Sequence, residues 1–312
     1  MTDAEHTIVM TGASRGIGQI AASSMCALKP EAHLVLLSRN DSRDLVAKLQ
    51  AVGGGAVSVV HTELSSLQSV ADATDAVLDR VRSGDLPPLR GLVCNAGVQH
   101  TNALTETVDG FESTFAVNVL AHHVLVRRLH DHLHPHARVV VTVSDTHFGD
   151  FRHNLGMVPG PRWQPVEALA HVGAFADLGN TAAGRTAYST SKLAAIYLIH
   201  EYARRFPTGP TLAGYNPGFV PGTDLARDAS VASRLAMRWI MPLLTITPLA
   251  TTPSKAGGFL ADAALGTVKA PSGAYIDRGQ VARSSPESYD LQRECKTWEA
   301  VETLTAGFLP LP

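Results

Sequence analysis

Short apolar runs alternate with longer mixed segments along this chain. Residues 8–10 (Ile-Val-Met) form the first run, and residues 19–28 follow with Ile20, Ser23, Ser24 and Ala27 at helical spacing. Further runs fall at residues 34–39, 57–60, 92–97, 138–144, 215–220 and 272–276. Most are continuously apolar, as strands covered on both faces are. Between them, residues 41–52, 67–82 and 111–129 have helical length and pattern, and Gly53-Gly54-Gly55 ends the first of these. Alternation of this kind predicts an α/β fold, a doubly wound parallel sheet of about seven strands with helices on both faces. The last run reads as an edge strand. Residues 294–305 read as an amphipathic tail helix with Trp298 and Val301 in the core.

Composition narrows the picture. With 312 residues, 45% hydrophobic and 17% charged, the chain reads as one compact domain over 1–312. An insert is expected at about 148–186 and a substrate-loop region at about 221–253. A net charge of −2, with both signs interspersed, carries no footprint for nucleic acid. No basic segment followed by an apolar run opens the chain, and residues 239–250 are broken by Pro242 and Pro248. Neither a leader nor an integral membrane segment is expected. Cys26, Cys94 and Cys295 lack metal or redox spacing, which suits a reducing cytoplasm. His130, His132, His134 and His136 invite a metal reading. Pro135 breaks the helix that would align them, and no carboxylate follows at ligand spacing, so a solvated helix end is expected and no metal.

The candidate chemistry begins at Thr11-Gly12-Ala13-Ser14-Arg15-Gly16-Ile17-Gly18, between the first strand and the first helix. Such a turn points backbone N–H groups and the positive helix end at one place, where a pyrophosphate can sit. Gly12 permits the tight turn, Gly16 lets phosphate approach, and Gly18 lets helix and strand pack closely. At the end of the second strand stand Ser38 and Arg39 rather than an acid, with Arg15 nearby. An acid there would bind a ribose 2′-hydroxyl, whereas two guanidiniums can grip a 2′-phosphate, so NADP(H) is preferred over NAD(H).

Thr-Gly-x-x-x-Gly-x-Gly resembles the cofactor fingerprint of the short-chain dehydrogenase/reductase family, and other motifs follow in that family's order. Glu63-Leu64 falls where relatives have Asp-Leu near the adenine. Asn95-Ala96-Gly97 matches Asn-Ala-Gly, with Cys94 replacing the preceding Asn as a small hydrophobe. The family's catalytic Asn corresponds to Asn118, within Phe115-Ala116-Val117-Asn118. Two registers compete after the fifth strand. Ser144-Asp145-Thr146-His147 matches Ser-(Glu/Asp)-Ser-His with Ser144 catalytic, and the other register puts Asp145 in that place; the first leaves Ser144 at the end of a clean apolar strand. Tyr188 and Lys192 match Tyr-x-x-x-Lys, one turn apart on one helix face. At about 4 Å and an effective dielectric near 20, their attraction is about 4 kcal/mol, an upper bound of roughly three pK units on the phenol. Pro217, Gly218 and Val220 resemble the Pro-Gly element beside the nicotinamide, although Gly222 stands where relatives have Thr and Thr223 follows it.

The resemblance, which is closest to retinol dehydrogenases and protochlorophyllide reductases, implies a Rossmann fold. It also implies an NADP(H)-dependent oxidoreductase that interconverts a ketone or aldehyde and an alcohol. Tyr188 would transfer the proton, Ser144 would hold the carbonyl oxygen, Lys192 would lower the tyrosine pKa and hold the nicotinamide ribose, and Asn118 would fix a relay water. The 43 residues from Asp145 to Ala187 exceed what ordinary members need. Phe148, Phe151, Trp163 and Phe175 give them apolar payload, and a short helix over residues 166–175 fits. They read equally as a substrate lid or as a surface on a neighbouring subunit. A bulky apolar carbonyl substrate follows as an expectation. A carbon–carbon double-bond reductase is the alternative enzyme, and a catalytically idle NADP-sensing scaffold the alternative class. Families resembling this one commonly form dimers and tetramers, so a homo-oligomer is compatible.

Overall fold

The structure is a computed structural model that describes residues 4–40, 42–154, 156–220 and 250–310. Five strands lead the sheet: β1 (His6–Thr11), β2 (Ala32–Ser38), β3 (Val57–His61), β4 (Leu89–Cys94) and β5 (Leu133–Thr142). Then come β6 (Thr211–Asn216), β7 (Tyr275–Asp277) and β8 (Gln280–Ala282). The order across the sheet is β3-β2-β1-β4-β5-β6-β7-β8, parallel except for the last pair. The described residues therefore form eight strands where the sequence predicts about seven. The extra one is a three-residue antiparallel strand, fully exposed and carrying no apolar run.

Successive residues of each strand point to opposite faces, and both faces are covered. Ile8, Met10, Leu34, Leu36, Val93 and Val140 join the core beneath α1 (Gly16–Leu28), α2 (Arg43–Gly53) and a late helix, Pro253–Leu265. Val9, Val35, Leu37, Leu92, Cys94 and Val141 join the other core, with α3 (Leu67–Arg82) and a helical run from Ser113 to Leu129. The buried face of α1 is Ala21, Ala22, Met25 and Cys26, one step round from the row noted in sequence. Small residues face inward there because α1 is sandwiched between the sheet and the late helix, where a Cβ on Gly257 would fall 2.5 Å from Ile20.

The run 113–129 comprises α4 (Ser113–Phe115), one π turn over Ala116–Leu120, and α5 (Ala121–Leu129). Its N-terminus is capped by buried Glu112, whose carboxylate accepts from the N–H groups of Thr114 (3.0 Å) and Phe115 (2.7 Å). The π turn is centred on Asn118, and such single-turn widenings recur at functional sites. The helix stops as Pro135 demands, but the histidines do not end a solvated helix together. β5 begins at Leu133, earlier than predicted, so His134 and His136 lie on its irregular start, where the pairing with β4 slips.

The insert carries a short turn at Asp145–Phe148, then α6 (Phe151–Asn154) and α7 (Val166–Leu169). It crosses itself where a Cβ on Gly149 would lie 2.9 Å from the Gly160 Cα, a crossing that requires glycine. Val166, Leu169 and Phe175 are buried in the core and Trp163 packs edge-on against Tyr197 at 4.8 Å, whereas Phe151 is 74% exposed. The long helix α8 (Thr181–Arg205) starts at the Asn180 cap, eight residues ahead of Tyr188, so Tyr188 sits well inside the helix. The late helix is α9 (Pro253–Leu265), and α10 (Leu291–Thr305) packs on α8 with Trp298 and Val301 buried as predicted. The apolar stretch 239–250, apart from Ala250, and most of the expected substrate-loop region lie outside the described residues.

Candidate active site

β1 lies between β2 and β4, so the chain reverses direction across the sheet at the C-terminal ends of β1 and β4. Open α/β sheets bind ligands at such a switch point. A cavity of about 720 Å³ opens there. It runs from Arg39 and Glu63 at one end, past the glycine loop, to Ser144, Tyr188 and Val158 at the other. Every site residue named from the sequence lines it except Asn118, which stands behind Gly97; Thr223 lies outside the described residues.

The glycine loop has no room for a side chain at Gly12 or Gly18. Gly12 has φ +69°, and a Cβ on Gly18 would stand 2.0 Å from the Gly12 carbonyl oxygen and 2.4 Å from Asn95 Nδ2. A chain of hydrogen bonds leads from this loop across the sheet. Asn95 Nδ2 donates to Gly12 O (3.0 Å), Thr142 Oγ1 donates to Asn95 Oδ1 (3.1 Å), and Lys192 Nζ donates to Thr142 O (2.8 Å). Thr11 Oγ1 accepts from the N–H groups of Asn95 and Ala96, both at 3.0 Å. Strand ends β1, β4 and β5 are thus bound to each other and to the amine. Thr142 was not singled out in the sequence, because a threonine closing a strand looks like any other β-branched residue.

Asn118 works through its neighbours. Its Oδ1 accepts from Val98 N (2.9 Å), and its Nδ2 donates to Val98 O and Ser191 Oγ, both at 3.0 Å. Both amide hydrogens are engaged, which leaves only Oδ1 with accepting capacity. A Cβ on Gly97 would lie 3.3 Å from that oxygen and 3.5 Å from Lys192 Nζ, so glycine there keeps the space between them open.

Tyr188 and Lys192 come together on one face of α8, with Nζ 5.5 Å from the phenol ring centroid. Both are buried. The expectation that Lys192 lowers the phenol pKa does not hold in this geometry. Burial drives the Tyr188 pKa well up, offset in part by a hydrogen bond with Ser144, and the nearby Asp145 raises it further. The amine itself is pushed down to about 8 by desolvation. Removing water penalises phenolate and ammonium alike, and that cost exceeds their attraction at this separation. The phenol is consequently held protonated.

Ser144 is fixed by His147, which the sequence places in the same motif without assigning it a role. His147 Nδ1 donates to Ser144 O (2.5 Å) and its Nε2 accepts from Ser285 N (3.0 Å), which defines a neutral tautomer. Burial holds that imidazole down to about 4. Asp145 also lines the cavity, its Oδ1 3.5 Å from Ser144 Oγ, and its backbone N–H donates to Asn216 Oδ1 (3.1 Å). Burial first, and then the facing carboxylate of Asp277, raise its pKa to about 6. A raised carboxyl pKa stabilises the fold below pH ~4, and that contribution is lost as pH rises through about 6. Asp145→Asn should therefore gain melting temperature relative to wild type on going from pH 4 to pH 7, measured by thermal unfolding at both values.

At the far end Arg39 stands 3.8 Å from Glu63, both partly exposed. An exposed pair of this kind contributes little, so the guanidinium can turn to a stronger anion. The crowded glycine cradle, the open helix end and these basic groups fit a dinucleotide. Among the described residues no group of three metal-ligating side chains occurs, and no helix is long and apolar enough to cross a membrane.

Comparison with known proteins agrees with this geometry. A family model described as short chain dehydrogenase matches residues 6–154. The chain is 30% identical over 328 residues to protochlorophyllide reductase A, chloroplastic, of Oryza sativa subsp. japonica, covering 96% of this chain and 80% of that protein. It is 27% identical to the short-chain dehydrogenase iccH of Talaromyces variabilis over 346 residues, 94% of each chain. The NADPH-dependent 3-quinuclidinone reductase of Rhodotorula rubra has the same fold, with a TM-score of 0.60 at 18% identity over 89% of this chain and 92% of that one.

Proposed function

The chain belongs to the short-chain dehydrogenase/reductase family, and from that premise we propose an NADP(H)-dependent oxidoreductase that interconverts a bulky apolar ketone or aldehyde and its alcohol. The observation that carries the reading is the meeting of Ser144, Tyr188 and Lys192 in the same cavity that the glycine loop and Arg39 line. In this reading Gly12, Ser14, Arg15, Gly16, Ile17 and Gly18 hold the pyrophosphate, and Arg39 faces the 2′-phosphate. Glu63 and Leu64 flank the adenine; Asn95, Ala96, Gly97, Pro217, Gly218 and Val220 wall the nicotinamide. When bound, the nicotinamide supplies or accepts the hydride.

The residues do the rest. Ser144 Oγ donates to the carbonyl oxygen and stabilises the charge that develops there. Tyr188, kept protonated by burial, gives that oxygen its proton. Lys192, with its pKa held down to about 8, is poised to resupply the proton at neutral pH. Asn118 holds Val98 and Ser191 in place, and the space beside Gly97 admits a relay water between Asn118 Oδ1 and Lys192 Nζ. The ordered insert supplies His153, Asn154, Met157 and Val158 to the cavity wall, which supports a substrate-facing role over a purely intersubunit one.

Oxidation of NADPH against a panel of bulky ketones tests the assignment; no turnover with any of them would sink it. A second reading, reduction of a carbon–carbon double bond, draws on the protochlorophyllide reductase relatives, and product analysis separates the two. Arg39→Ala should raise KM for NADPH by about tenfold or more, the worth of one charge-assisted hydrogen bond, with little change for NADH. Equal effects on both cofactors would remove Arg39 from the phosphate site.

A further inference from the structure

We propose that the substrate carries a carboxylate several bonds from its reacting carbonyl, and that Arg185 receives it. This rests on the carbonyl-oxidoreductase reading above and names the substrate class for that site. Arg185 lies three residues before Tyr188 on α8, the spacing that puts two side chains on one helix face with Cβ atoms about 5–6 Å apart. Both residues line the cavity. The guanidinium is half-buried and anchored, its Nη1 donating to Met157 O at 2.7 Å.

Its charge is uncompensated. Among the described residues no carboxylate stands within ion-pair distance of Arg185. Several arginines on the outer helices are paired, Arg127 with Glu302 at 2.7 Å, Arg205 with Glu201 at 2.6 Å and Arg128 with Asp75, while Arg80, outside the cavity, is bonded to Ser58 Oγ at 3.0 Å. A pre-positioned guanidinium with open donors in the cleft wall matches a planar carboxylate, which two of its N–H groups can grip side by side. Water alone would solvate it less well there than in bulk.

Asp145 sets the opposite pole. It sits against Ser144, where the carbonyl oxygen is to be held. A carboxylate next to the carbonyl, as in a 2-oxo acid, would meet like charge at that point. A carboxylate on a longer tether would lie back along α8, at Arg185. The polarity of the cleft thus selects oxo acids with a remote carboxylate and disfavours 2-oxo acids.

The alternative is that Arg185 only ties the insert to α8 through Met157 O, and kinetics distinguish the two. The probes are 4-benzoylbutyric acid, its methyl ester and benzoylformate, with wild type, Arg185→Gln and Arg185→Lys. The expected result is a kcat/KM for the acid about tenfold or more above that for the ester, with benzoylformate poorest. Arg185→Gln should close the gap between acid and ester, and Arg185→Lys should restore part of it. Equal use of acid and ester by wild type, or a gap that survives in Arg185→Gln, would overturn the assignment; a purely structural role would lower acid and ester together. If wild type reduces no ketone, the oxidoreductase reading fails, and calorimetric binding of 4-benzoylbutyrate and its ester still tests Arg185. Tighter binding of the acid that is lost in Arg185→Gln upholds the carboxylate site. Equal binding, or none, refutes it.

Discussion

Replacing Tyr188 with Phe is expected to lower kcat for ketone reduction by roughly 10²- to 10⁴-fold, the usual worth of a positioned proton donor. The ring stays, so the packing of this buried side chain and the cleft are retained, and a matching melting temperature checks that the loss is chemical. Burial keeps the phenol protonated over the whole physiological range. A protonated phenol is the form that reduction needs. Lys192 is the group with a pKa, about 8, near working pH, so the pH dependence of turnover should follow the amine more than the phenol. Turnover in Tyr188→Phe within a few-fold of wild type would place the proton elsewhere.

Gly18→Ala is expected to be the most damaging single change to cofactor binding. The new methyl would stand 2.0 Å from the Gly12 carbonyl oxygen and 2.4 Å from Asn95 Nδ2. Neither neighbour can yield cheaply, since one is backbone and the other holds the hydrogen-bond chain to Lys192. Overpacking of this sort costs about 1–3 kcal/mol in the fold. It also pushes the start of α1 off β1, which spoils the row of N–H donors meant for the pyrophosphate. Loss of measurable NADPH binding together with a lowered melting temperature is the expected outcome. Gly16→Ala is the useful contrast. Nothing lies within 4 Å of its added methyl, and the cost comes only from a φ of +57°, about 1–2 kcal/mol for an L-residue in that region. Equal damage from both would mean that close packing at Gly18 is not what matters.

Much of this was readable along the chain. Residues 8–10, 34–37 and 92–94 have continuous apolar character because both sheet faces are covered, and that alone marks a parallel sheet. The glycines at 12 and 18 were legible because a Cβ has no room where they sit, and Gly16 because its φ of +57° favours glycine. Tyr188 and Lys192 were legible because helical spacing is fixed. The unread parts depended on distances that sequence does not encode. Whether the amine or desolvation governs Tyr188 turns on burial and on a few ångströms of separation. His147 reaches Ser285 across 138 residues, a pairing without local signature. Thr142 and Asn95 meet only because β4 and β5 are neighbours. β8 was invisible, being three exposed residues, Gln280 to Ala282, paired through a turn at Arg278-Gly279. Arg185 was passed over because an arginine in a helix is ordinarily a solvated one.

The claim on which the rest depends is that hydride reaches a carbonyl carbon while Tyr188 protonates its oxygen. NADPH deuterated at the transferring C4 position, incubated with wild type and the preferred ketone, gives the sharpest reading. One deuterium on the carbinol carbon is expected, with formation of that labelled alcohol slowed at least a hundredfold in Tyr188→Phe, within the range for a lost proton donor of about 10²- to 10⁴-fold. Deuterium on a carbon of a former double bond, or labelled alcohol formed at the same rate without the phenol, would show that the cleft does different chemistry.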